Sequence, residues 1–161
     1  MRKFQKFIPC ITTLSIMVLI FIFSGQNADE STKSSTGFIH FIINIFDSLF
    51  NQKHDLSITR DIEHFVRKAA HFTIYSLLGF NASWMFLWII NNIKKRAVLW
   101  ISAIFCFIYA CTDEIHQMFS PGRSASFSDV ILDTFGAVFG SIVFLLFILA
   151  YTYYKQKKVI K

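Results

Sequence analysis

Four apolar runs govern what this chain can become, because each approaches or exceeds the length needed to cross the ~30 Å hydrocarbon core of a bilayer. They cover Phe7 to about Phe23, about Phe65 to Ile90, Ala97 to about Met118, and about Phe127 to Tyr154. Of the 161 residues 54% are hydrophobic, 20 are phenylalanine and only 16% are charged, whereas a soluble domain carries about 25% charge. The fold class expected is all-α: a polytopic membrane protein with four transmembrane helices and one short amphipathic helix. A single membrane domain accounts for the whole of Met1–Lys161.

The first run follows Arg2, Lys3 and Lys6 and so resembles a secretory signal. It exceeds the usual ~7–15-residue apolar region of such a signal, and no clean A-x-A cleavage pattern follows. It reads as a retained first span. Residues 24–35 (SGQNADESTKSS) read as an exposed loop. The stretch Phe38–Phe50 is too short to span but amphipathic, with His40, Asn44, Asp47 and Ser48 opposite a broad apolar face. It suits the membrane interface or the side of the bundle. Thr59 is a plausible cap for the second span, with Asp61 and Glu63 in its first turn.

Basic residues set the orientation. The N-terminus, the loop at residues 91–96 and the C-terminal tail carry Arg2, Lys3, Lys6, Lys94, Lys95, Arg96, Lys155, Lys157, Lys158 and Lys161, and no acid. All ten acidic residues lie on the other side. Both termini are therefore expected in the cytoplasm, in the cell membrane. The net charge of +6 reads as topology signal and attraction to anionic lipid, so no nucleic-acid partner is expected. Cys10, Cys106 and Cys111 are odd in number and lie in or beside apolar runs. They imply no disulfide framework and read as small buried hydrophobes.

The residues at 109–140 do not belong in an ordinary apolar bundle. Asp113, Glu114, His116, Gln117, Arg123, Asp129 and Asp133 crowd two helix ends and a Pro121-Gly122 turn. An ionisable group at mid-bilayer depth costs ~2.5–3.5 kcal/mol or more, so such groups are functional hypotheses by default. Helical spacing puts His64, Arg67, Lys68, His71 and Tyr75 on one face of the second span, and Asp113, His116 and Gln117 on one face of the third. With Asp129 and Asp133 opening the fourth, the groups converge at one depth. The arrangement could be a clasp of ion pairs fixing the helices. It could pair His71 with His116 for acid–base work while Arg67 and Arg123 grip a phosphate. It could also hold a divalent metal through Asp113, His116, Asp129 and Asp133, although the spacing matches no specific zinc signature. Gly136-x-x-x-Gly140, with Ala137 and Ser141, is a small-residue pattern that lets helices approach closely.

The segments RKAAHFTIYSLLGF and TDEIHQMFSPGRSASFSDVILDTFGAVFG together resemble the VanZ-like family of bacterial membrane proteins. The polar stretch after the first span resembles that family's serine-rich segment, and the likeness runs from about Phe21 to Gly140. The pattern D-E-x-x-Q-x-F-x-P-G-R-x-x-x-x-x-D carries it. Family members commonly have Asn where this chain has Asp133, and His71 fits the pattern better than His116 or His64. The resemblance implies a role in the cell envelope; the founding member is associated with low-level resistance to the glycopeptide teicoplanin.

The expected site follows. His71, Asp113 and Glu114 would move protons, and Arg67, Lys68, Gln117, Arg123, Asp129 and Asp133 would bind a lipid or a lipid-linked envelope precursor at the outer leaflet. No cofactor and no resident metal is expected. Whether the site catalyses or only binds stays open. A transporter fits poorly, because the inner halves of the spans lack ionisable residues.

Overall fold

The computed structural model describes residues 7–50, 60–90 and 92–159. Five helices account for nearly all of them, and no strand occurs among the described residues: α1 Ile8–Ser24, α2 Ala28–Phe50, α3 Arg60–Ile89, α4 Lys95–Gln117 and α5 Phe127–Val159. Three helices, α3, α4 and α5, are each long and apolar enough to cross a membrane. The pair α1 and α2 meets the same test only when taken together across a bend of 112°, which allows up to four spans. The protein is thus an all-α, multi-pass membrane protein. Its outward faces expose Leu77, Ile104, Ile108, Phe139 and Phe147, as surfaces bathed by lipid tails should.

The expected loop at residues 24–35 is largely helical: α2 begins at Ala28. The reason is a capping box that a polar reading overlooks. The Asn27 side chain accepts from the Glu30 amide at 2.8 Å, and Glu30 accepts from the Asn27 amide at 3.2 Å. Nor is the elbow at residues 24–28 loose. Ser24 is fully buried, and the Ala28 amide donates to the Pro121 carbonyl at 3.2 Å. The expected cap Thr59 lies outside the described residues.

The bundle is organised by the contact of α3 with α5, its most extensive helix pair. Gly136 and Gly140 press on the backbone of α3. A Cβ at Gly136 would come within 2.5 Å of the Phe72 carbonyl oxygen, and one at Gly140 would overlap the Ser76 carbonyl. Gly79 returns the contact from α3, since a Cβ there would overlap the Ala137 carbonyl. Ser141 adds a hydrogen bond across the seam, donating to the Gly79 carbonyl at 3.1 Å. Around this seam Ile20, Tyr75, Leu78, Ala82, Cys106, Ala110, Val130 and Ala137 form one buried cluster to which α1, α3, α4 and α5 all contribute. Of the polar residues in the bundle, Ser83 bonds to Ser102 at 3.1 Å and Tyr109 to the Met17 carbonyl at 2.6 Å. No disulfide forms among the described residues.

Candidate functional site

The same helix periodicity that builds the core carries a polar stripe to one end of it. On α3 the residues His64, Arg67, His71, Tyr75, Leu78 and Ala82 follow one another by three or four positions, so they share a face. The lower members join the core and the upper ones line a polar cavity of about 320 Å³. α4 contributes Glu114 and Gln117, α5 contributes Asp129 and Asp133, and the connecting turn contributes Arg123. That turn is set by Pro121 and Gly122. The Arg123 amide donates to the Ser120 carbonyl at 3.2 Å, and Gly122 takes the positive φ of 75° that a type II turn requires at its third residue.

The expected site residues are brought together, and three have partners that define their local roles. Arg123 Nη1 donates to the carbonyls of Ser24 at 2.9 Å and Gln26 at 3.4 Å, closing the C-terminal end of α1. A cation suits that end of a helix. Burial and the neighbouring Arg67 guanidinium pull Arg123 below the usual guanidinium pKa, against the carboxylates of Asp113, Glu114 and Asp129. Arg67 and Arg123 line the same cavity. Glu114 Oε2 accepts from the Ser126 amide at 2.7 Å and so anchors the start of α5. Lys68 pairs with Asp129 at 3.1 Å, with both side chains more than a third exposed; such a pair adds little stability.

Beneath these lie His71, Asp113 and Asp133, from three different helices. Asp113 and Asp133 are 3% and 0% exposed. Gln117 Nε2 donates to Asp113 Oδ2 at 3.3 Å. The other Asp113 oxygen, both Asp133 oxygens and the Tyr75 hydroxyl have no hydrogen-bond partner among the described residues. His71 Nδ1 stands 3.6 Å from Asp133 Oδ2, an ion-pair spacing too long for a hydrogen bond.

His116 departs from expectation. Its ring stacks on Phe21, with centroids 4.0 Å apart and planes at 17°, and its Nδ1 lies 3.3 Å from Ser24 Oγ. It faces α1 and is absent from the cavity lining. Three residues after Asp113 on a helix means a rotation of about 60° away from it, enough to point the ring at a different neighbour. The acid–base pair His71–His116 and the metal set containing His116 are therefore not formed.

A second cavity, of about 580 Å³, adjoins the first and has the opposite character. Ile20 and Phe23 of α1, Phe38 of α2, and Val66, Ile74 and Leu77 of α3 make it an apolar groove. Arg67, His71 and Arg123 line both spaces. The sequence gives no sign of this groove, because it depends on how α1 and α2 fold back beside α3.

A family model described as VanZ/LLP1 matches residues 9–149, most of the chain, and the chain belongs to that family. No curated protein and no solved structure matches it.

Proposed function

We propose that this VanZ/LLP1 family member binds the anionic head group of a membrane amphiphile, a lipid or a lipid-linked envelope precursor, at the outer leaflet of the cell membrane. One observation carries the reading: Arg67, His71 and Arg123 form a wall common to a polar cavity and an apolar groove. A molecule with a charged head and a hydrocarbon tail fits two such spaces at once. Guanidiniums suit a phosphate because their planar forks bind its oxygens in pairs. The basic N-terminus, residues 91–96 and tail support an orientation with both termini in the cytoplasm and the cavity toward the outer side. A link to glycopeptide resistance would follow if the bound amphiphile were a cell-wall precursor.

If the site catalyses, His71 with Asp133 is the pair suited to moving a proton. A non-enzymatic binder is the second reading, and the hydrogen bonds favour it. Arg123 and Glu114 are tied to backbone and Lys68 to Asp129, so much of the polar set holds the frame.

The test uses purified protein in neutral-lipid nanodiscs with labelled polyprenyl phosphate and the matching uncharged polyprenol. Saturable binding of the phosphate, at least tenfold tighter than the alcohol and lost in Arg67→Gln, is the expected result. Equal binding of the two probes would overturn the reading. Appearance of a modified product during the same incubation would select the enzyme over the binder.

A further inference from the structure

The geometry points to a binding site for one divalent cation formed by His71, Asp113 and Asp133. One ligand atom from each of the three lies within 4.8 Å of the others. At metal bonds of about 2.0–2.2 Å, atoms sharing an ion sit roughly 3–3.5 Å apart. The 3.6 Å between His71 Nδ1 and Asp133 Oδ2 is already near that spacing, and small side-chain rotations close the rest.

Four further features favour a cation over a simple ion pair. Asp113 and Asp133 are both almost wholly buried, and a buried carboxylate without compensation is costly. Both carry unpartnered oxygens and belong to the same cluster, with the buried Tyr75 hydroxyl beside it. Of the cations lining the cavity among the described residues, Arg123 is engaged on the α1 carbonyls and Lys68 on Asp129, and Arg67 forms no ion pair with either carboxylate. Gln117, by holding Asp113 Oδ2, leaves Oδ1 free and fixes the plane of the carboxylate, as residues behind a metal ligand commonly do.

The donor set selects the ion. Two carboxylates balance a divalent charge. The imidazole nitrogen favours Zn²⁺ or Mn²⁺ over Ca²⁺, which takes six to eight oxygens. The metal set open to the sequence, with His116 and Asp129, is replaced by one in which His71 supplies the nitrogen. This inference stands apart from the amphiphile reading, since it needs no lipid.

The full chain, purified in uncharged detergent on a histidine-free tag, is stripped with a chelator and titrated with Zn²⁺ and separately with Mn²⁺. Elemental analysis should find one ion per chain with at least one of the two metals, and the melting temperature should rise with occupancy. Affinity should fall at least tenfold in Asp113→Asn and Asp133→Asn and stay unchanged in Ser83→Ala, remote from the cluster. Absence of a bound ion with either metal, or undiminished binding in both Asp variants, would overturn the site. If the Asp variants cannot be purified folded, X-ray absorption of the metal-loaded wild type decides. A shell of oxygens with one imidazole supports the assignment, and a shell without imidazole or containing sulfur overturns it. Failure here with successful phosphate-lipid binding would sink the metal alone.

Discussion

Where α3 and α5 cross at Gly79 and Gly140, backbone lies against backbone, and the serine beside the contact is fully bonded. About 10 Å toward the α4–α5 turn, around Asp133, the same two helices hold carboxylate oxygens, a hydroxyl and an imidazole nitrogen with no hydrogen-bond partner. Nothing in the chemistry of helices requires that contrast. Lipid tails are as apolar as the helices, so association inside a bilayer rests on close packing and hydrogen bonds, and the seam supplies both. Unpaired polar atoms work against it. A fold that tolerates them at one end draws its stability from the other.

The largest effect expected is on the seam. Gly140→Leu must displace the Ser76 carbonyl, and overpacking costs about 1–3 kcal/mol even where neighbours can yield. With backbone as the obstacle, folded protein should be largely lost, as read by thermal unfolding in detergent. A melting temperature within about 2 °C of wild type, worth less than 1 kcal/mol, would break the comparison. Next comes Arg123→Gln, which touches both ends of the contrast. It removes charge-assisted bonds to the Ser24 and Gln26 carbonyls, worth about 1.5–3 kcal/mol, and it weakens phosphate-lipid binding. Loss of stability with intact binding would make Arg123 a purely structural residue. Lys68→Ala should be the mildest. Its exposed pair with Asp129 contributes about 0–1 kcal/mol, so a clear drop in melting temperature would mean that the polar end carries stability after all.

Much of this was legible in the sequence. The apolar runs gave the class of fold, and period-3.6 spacing gathered Arg67, His71, Asp113, Gln117 and Asp133 into one place. Gly136 and Gly140 announced close packing. Their counterpart Gly79 carries the same signal, since Gly79-x-x-x-Ser83 on α3 repeats that spacing of small residues. The helical start at Ala28 was hidden because serine and acidic residues read as loop until the Asn27–Glu30 box is seen. His116 shows the limit of counting along a helix: a 60° offset decides which neighbour a ring meets, and only the packing of α1 determines that neighbour. The apolar groove has no signature along the chain, because α1, α2 and α3 each supply only part of its wall.

Arg67, His71 and Arg123 stand between the polar cavity and the apolar groove. A tailed molecule could slide sideways into the groove and deliver its head to Arg67 and Arg123 without ever dissolving in water. Capture would then be a two-dimensional encounter, and occupancy would track the molecule's mole fraction in the bilayer, whatever its concentration outside the cell.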